Sequence, residues 1–257
     1  MHDIFKNEKN KPRVLRGVSI LSGSTRLAEL AGRIGFETVW IEIEHGPLSF
    51  SEVETLCMAA EVGGAIPTVR IPDAQRHHVL RALEVGAKIL VVPMVDDAET
   101  ARQVVDYGKF TPLGSRGFNT RSRGVGYGLS DCETAFRQAN EGTYFFAQIE
   151  TVRAVENIES ICQVEGLSGI FVGPGDLSAS AGLVGKFSDP KLIAMIEKCI
   201  RWARGVGKHA GILVPPGPLL DAALAAGSDL VFCGGDINQL ILAWRNLLES
   251  VDFGEQS

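Results

Sequence analysis

Short apolar runs alternate with stretches whose apolar residues fall three and four apart, and this alternation repeats eight times along the chain. The runs predict strands buried on both faces, as in a parallel sheet, and the wider spacing predicts amphipathic helices. The first four units pair a strand over 14–21 with a helix over 25–34, 38–43 with a helix beginning over 50–60, 66–71 with 74–85, and 88–95 with 98–105. Residues 111–131 then break the pattern with glycines and arginines, and a loop of that length inside a compact domain is usually functional or mobile. A helix over 133–140 leads to the fifth strand at 144–149, whose own helix includes 154–161. The last three units set 169–172 before a helix over 190–203, 209–214 before 219–226, and 230–233 before 237–248.

Eight β–α units running in one direction imply a parallel sheet, and eight strands is the number that closes a barrel. An open doubly wound sheet would carry a Gly-rich dinucleotide fingerprint in its first turn, which Ser22-Gly23-Ser24-Thr25 does not match. No linker or composition shift divides the chain, so the expectation is one α/β domain over residues 1–257, a (β/α)8 TIM barrel.

Composition narrows the function classes. The net charge of −6 comes with no basic run, which argues against a nucleic-acid partner because phosphate binding needs clustered Lys and Arg. A mean hydropathy of +0.11 and apolar runs too short to span a bilayer argue against a membrane partner. The polar first residues show no apolar export signal, and the five cysteines are scattered and odd in number with no CxxC pair. The expectation is a cytoplasmic protein with reduced, mostly buried thiols.

In a TIM barrel the chemistry sits at the C-terminal ends of the strands, so ionisable residues that close an apolar run are the candidates. The second strand ends in Glu42-Ile43-Glu44-His45, the third in Val69-Arg70-Ile71, the fifth in Gln148-Ile149-Glu150, and the sixth in Gly173-Pro174-Gly175-Asp176. Glu150 and Asp176 close neighbouring strands about 4.8 Å apart, where two carboxylates repel unless a cation or proton lies between them. Two carboxylates plus waters is a common Mg²⁺ or Mn²⁺ arrangement, while either acid alone reads equally as a first-turn helix acid. Arg70, inside an apolar strand, either pairs with Glu42 or Glu44 or meets an anionic substrate oxygen. His45 follows two glutamates that can orient its ring, whereas His2, His77, His78 and His209 have no such setting, and His77 and His78 read as helix-surface residues. Residues 173–178 form a possible amide cradle for a carboxylate.

Taken together and in this order, these clusters resemble the HpcH/HpaI family of class II pyruvate aldolases from about residue 15 to about residue 248. The strongest segments are Glu44-His45-Gly46-Pro47, Pro93-Met94-Val95-Asp96, Gln148-Ile149-Glu150 and residues 169–178. The resemblance implies a barrel of the phosphoenolpyruvate/pyruvate-domain type that cleaves a 4-hydroxy-2-oxoacid to pyruvate and an aldehyde. Glu150 and Asp176 would hold a divalent metal, Mg²⁺, Mn²⁺ or Co²⁺. Gln148, Gly173, Gly175, Asp176 and Val214 would bind the substrate, Arg70 would stabilise the enolate oxygen, and His45 would manage the aldol hydroxyl proton. Small-molecule partners and a trimeric or hexameric homo-oligomer with an exchanged last helix are implied as well.

The chain departs from the family pattern at two acids. Glu42 stands where the histidine's partner is typically aspartate, and Glu84 where a second aspartate is usual, so both enter the catalytic set with altered reach. Near Ser19 some relatives have a tryptophan, and a loop with Arg116, Arg121 and Arg123 is placed to meet an acidic acceptor or to be plain surface charge. The alternatives on the same scaffold are a malyl- or citramalyl-CoA-type lyase and an oxaloacetate decarboxylase. An inactive barrel acting as a binding protein is the alternative from another class.

Overall fold

In the computed structural model, which describes residues 3–251, eight parallel strands pair in sequence order and the first returns to the last, closing a barrel. β1 (Leu15–Ile20) is followed by α1 (Thr25–Ile34), β2 (Thr38–Glu42) by α2 (Phe50–Gly63), β3 (Ile66–Arg70) by α3 (Arg76–Glu84), and β4 (Ile89–Val92) by α4 (Ala98–Gly108). A 3₁₀ turn over Arg123–Gly128 and α5 (Cys132–Gly142) lead to β5 (Tyr144–Ile149), α6 (Val152–Glu156) and α7 (Ile158–Cys162). Then come β6 (Gly169–Val172), α8 (Pro174–Ser180), α9 (Pro190–Gly205), β7 (His209–Leu213), α10 (Pro218–Ala226), β8 (Leu230–Gly235) and α11 (Asp236–Ser250).

The eight strands overlap the predicted runs because a strand buried on both faces needs a continuous apolar run, and every residue of β2 is buried. Helix starts follow side-chain chemistry. Ser49 and Glu52 form a reciprocal capping box at α2, and Asp97, Asp131 and Thr151 accept first-turn amides at α4, α5 and α6. Two predicted elements differ. The helix after β5 breaks at Asn157, whose side chain instead donates to the Asp96 carbonyl at 2.9 Å. The fourth strand, predicted over 88–95, stops at Val92, before Pro93 and a Met94 whose φ is +53°.

Two layers of core result. Between sheet and helices lies a shell of aliphatic side chains, while the barrel interior is packed with Trp40, Phe146, Phe171 and Phe232. The N-terminal end is closed by residues before β1. Phe5 is 3% exposed and stacks 3.6 Å from the His209 ring. The opposite end remains open. α11 leaves the barrel with Ile241, Leu242, Trp244, Leu247 and Leu248 exposed. Among the described residues no helix is long and apolar enough to cross a membrane. Cys57, Cys162 and Cys199 are buried free thiols, whereas Cys132 is exposed and Cys233 partly so.

Candidate active site

A cavity of about 780 Å³ opens at the C-terminal end of the strands. Its wall takes Ser19 from β1, Trp40 and Glu42 from β2, Arg70 from β3, Gln148 from β5 and Leu213 from β7, with His45 at the rim and the β6–α8 turn from Gly173 to Asp176. Inward-pointing residues alternate along each strand, which is why Trp40 and Glu42, two apart, face the same interior.

Glu42 is the most heavily bonded of these groups. Its Oε1 accepts the backbone amides of Glu44 at 2.7 Å and His45 at 3.1 Å, while its Oε2 accepts Trp40 Nε1 at 2.9 Å and Arg70 Nε at 2.7 Å. Glu42 therefore does not meet the His45 ring, which corrects the expectation that it serves as the imidazole's acid partner: both its oxygens are already spent. The nearest acid to that ring is Glu44, 3.9 Å away, and the His45 side chain is 66% exposed. Arg70 pairs with both glutamates, its Nη2 2.6 Å from Glu42 and its Nη1 3.0 Å from Glu44. The contact with Glu44 is an ion pair without hydrogen-bond alignment, since Glu44 Oε2 has no hydrogen-bond partner.

Glu150 is 2% exposed and does not itself line the cavity, but stands against Gln148 and Gly173, which do. Its Oε1 accepts the Met94 amide at 2.6 Å, and its Oε2 accepts the Gln148 side-chain amide. Met94 reaches that position with a positive φ that non-glycine residues rarely adopt, a local strain of the sort that gathers at functional sites. Burial, reinforced by the charges of Glu44 and Asp176, pushes the Glu150 carboxyl above its usual range. Burial also raises Glu44, against the pull of Arg70.

This arrangement fits a divalent cation. Three carboxylates repel around one volume, and Gln148 Oε1 is buried without a partner. A Cβ at Gly173 would lie 3.0 Å from both Glu150 Oε2 and Gln148 Nε2, tight enough that these side chains would have to shift, so glycine keeps the cradle in place. Among the described residues no three His, Cys, Asp or Glu side chains converge closely enough to hold an ion alone. The fit is with a cation that takes two protein oxygens, Glu150 and Asp176, and completes its shell from water and substrate. Beside it, α8 begins at Pro174, and Leu177 is bonded to the Gly173 carbonyl, so the Gly175 and Asp176 amides belong to the unpaired first turn.

Three expected residues do not line the cavity: Glu150, which stands behind Gln148 and Gly173, and two that lie elsewhere. Glu84 ends α3, which runs antiparallel to its strand and delivers its last turn toward the barrel's other end, where Glu84 binds Arg116 at 2.9 Å and Asn119. Val214 is buried in the outer core, and its neighbours Leu213 and Pro215 line the wall instead. Of the loop arginines, Arg116 is buried over Phe110 and Arg123 pairs with Glu61, and none of the three, Arg121 included, lines the cavity. His78 is not plain helix surface, since its Nδ1 lies 2.6 Å from Asp73, and His209 packs at the barrel's base. His2 lies outside the described residues. Sequence reading missed Trp40, the Met94 amide and Asn238 of α11, which also lines the cavity. Only Trp40 carried a signal, by standing two residues before Glu42 on one strand.

Comparison with known proteins agrees with this geometry. The profile of the HpcH/HpaI aldolase/citrate lyase family matches residues 17–243. A 2-keto-3-deoxy-L-rhamnonate aldolase from Salmonella gallinarum is 35% identical over 221 residues, which is 86% of this chain and 82% of that protein. The crystal structure of an HpcH/HpaI aldolase from Desulfitobacterium hafniense superposes with a TM-score of 0.88 at 28% identity, covering 95% of each chain. The citrate synthase SbnG superposes with a TM-score of 0.83 at 27% identity, covering 93% of each.

Proposed function

Because the chain belongs to the HpcH/HpaI aldolase/citrate lyase family, we propose that its mouth cleaves a 2-keto-3-deoxy sugar acid to pyruvate and a short hydroxyaldehyde, the chemistry named for its rhamnonate-aldolase relatives. The enzyme is a carbon–carbon lyase, a class II pyruvate aldolase. The observation that carries the reading is the acid cluster of Glu150, Asp176 and Glu44, with Glu150 against the Gly173 cradle and Glu44 paired with Arg70.

The substrate carboxylate lies on the Gly175 and Asp176 amides, with Gln148 beside it, which fixes the keto group toward Glu150. A divalent cation held by Glu150 and Asp176, of the Mg²⁺, Mn²⁺ or Co²⁺ type, supplies Lewis acidity there when bound. Arg70 lines the cavity with its Nε–H given to Glu42, and its guanidinium charge would stabilise the oxygen on which enolate charge develops. His45, exposed at the rim, takes the C4 hydroxyl proton through a water. The C3–C4 bond then breaks, the electron pair stays on C3, the aldehyde leaves, and C3 takes up a proton to give pyruvate. Cavity residues Ser19, Leu213 and Asn238 surround the aldehyde end.

We also read the protein as a homo-oligomer, since six large apolar side chains of α11 stand exposed and suit a second copy, and as cytoplasmic, since its free cysteines suit a reducing compartment. The deciding experiment measures pyruvate release from 2-keto-3-deoxy-L-rhamnonate with EDTA, and with each cation restored. Cleavage that stops with chelation and returns with metal is expected. A folded protein that cleaves nothing with any cation, yet acts on a malyl-type thioester, overturns the assignment.

A further inference from the structure

One oxygen, Glu42 Oε2, ties two side chains to the buried Glu42, the buried Trp40 and the partly buried Arg70. It accepts the Trp40 indole N–H at 2.9 Å and the Arg70 Nε–H at 2.7 Å, with Arg70 Nη2 2.6 Å away. Glu42 is 1% exposed, so none of these donors is exchanged for water. The indole itself is locked by packing. It is 2% exposed and wedged between Phe171, at 4.8 Å, and Phe232, at 5.1 Å. Its N–H direction is therefore fixed by the barrel interior and not by the site. The Arg70 guanidinium also lies 5.4 Å from the indole centroid, within cation–π reach.

A Glu–Arg pair alone can swing as a unit about its long, flexible side chains. A rigid third donor on the shared oxygen removes that freedom and leaves the guanidinium in one orientation before substrate arrives, which is the form in which electrostatic stabilisation counts most. We propose that Trp40 is a positioning residue that acts through Glu42 to hold Arg70 on the enolate oxygen, an inference that rests on the role given to Arg70 above. Trp40 also floors the cavity beside Ser19, its register partner on β1, so the same ring sets the depth of the pocket.

The test compares Trp40→Phe, Glu42→Gln, their double variant and Arg70→Lys in the full-length enzyme. Trp40→Phe keeps a ring in the slot and removes the N–H. It is expected to lower kcat about tenfold with KM within about twofold, and to slow deuterium exchange at the pyruvate methyl group by the same factor, since that exchange needs the enolate but no aldehyde. If Trp40 acts through Glu42, the double variant loses no more than Glu42→Gln alone, whereas a simple packing defect multiplies the two losses. Wild-type exchange in Trp40→Phe, or multiplied losses in the double variant, overturns the proposal. Collapse of Arg70→Lys beside an unaffected Trp40→Phe overturns only the part given to Trp40, while wild-type turnover in Arg70→Lys overturns the reading of Arg70 itself. If Trp40→Phe does not fold, the enzyme with Trp202→Phe and Trp244→Phe leaves Trp40 as the sole indole. Its emission is expected to change on adding pyruvate with Mg²⁺ and not in the presence of Arg70→Lys. An emission that does not respond, or responds equally without Arg70, overturns the coupling.

Discussion

Both ends of the barrel hold a histidine, an arginine and a buried carboxylate, and only one end is left with anything to bind. At the N-terminal end, Asp229 Oδ2 lies 2.7 Å from His209 Nδ1 and also accepts from Arg204, while Oδ1 takes the Ala210 amide at 2.9 Å. Phe5 then covers the imidazole face. At the C-terminal end, Gln148 Oε1 has no partner, the Glu150 carboxyl is pushed up, and the His45 side chain is 66% exposed. The residue types are nearly the same. What separates structure from function is whether the polar groups are satisfied within the chain.

The largest expected effect of breaking that contrast is at Glu150. Glu150→Gln should lower aldol cleavage by about a thousandfold, the loss of several kcal/mol of metal-dependent stabilisation, while Asp229→Asn leaves kcat within about twofold. Pyruvate release checks both, and equal losses at the two ends would remove the distinction. Arg70→Lys comes next, at about a hundredfold in kcat, because a point charge cannot reproduce the two-glutamate fork and still face the enolate. Asp229→Asn should instead cost about 2 kcal/mol of stability in urea unfolding, less than for a fully buried pair because the Arg204 side chain is 34% exposed.

The smallest effect concerns pH. Burial raises the folded-state value of Glu150 above its ordinary 4.5, so the native protein binds that proton more tightly than the unfolded chain does. The stability contribution of Glu150 is therefore most favourable at low pH and falls as pH rises through the window above 4.5. Without metal, Glu150→Gln should match wild type below that window and become the more stable protein above it, and Mg²⁺ should reverse the order. Thermal melting at several pH values measures this, and parallel curves would count against a charge deficit at the mouth.

Much of this was legible in the chain. Eight apolar runs separated by amphipathic stretches leave a closed parallel barrel as the economical solution, and the rule that loops after the strands carry chemistry placed Glu42, His45, Arg70, Gln148 and Asp176 at one cavity. Glu84 was misplaced because its position was read from a pattern along the chain, whereas a helix of nine residues carries its end away from the mouth. The Met94 amide was invisible because it is backbone, and no side-chain pattern announces a positive φ at methionine. Trp40 was passed over because an aromatic residue in an apolar strand reads as core, which it also is.

The fold and the strand-end acids could be read from the chain alone, because strand and helix periodicity and strand-end placement are local properties written residue by residue. Which of those acids meet a cation within the chain and which do not emerged only once the barrel was packed. Ion pairing depends on atoms from strands far apart in the chain, so Glu42 is the carboxylate paired with Arg70, while Glu150 accepts only neutral amides and has no cationic side chain paired with it among the described residues.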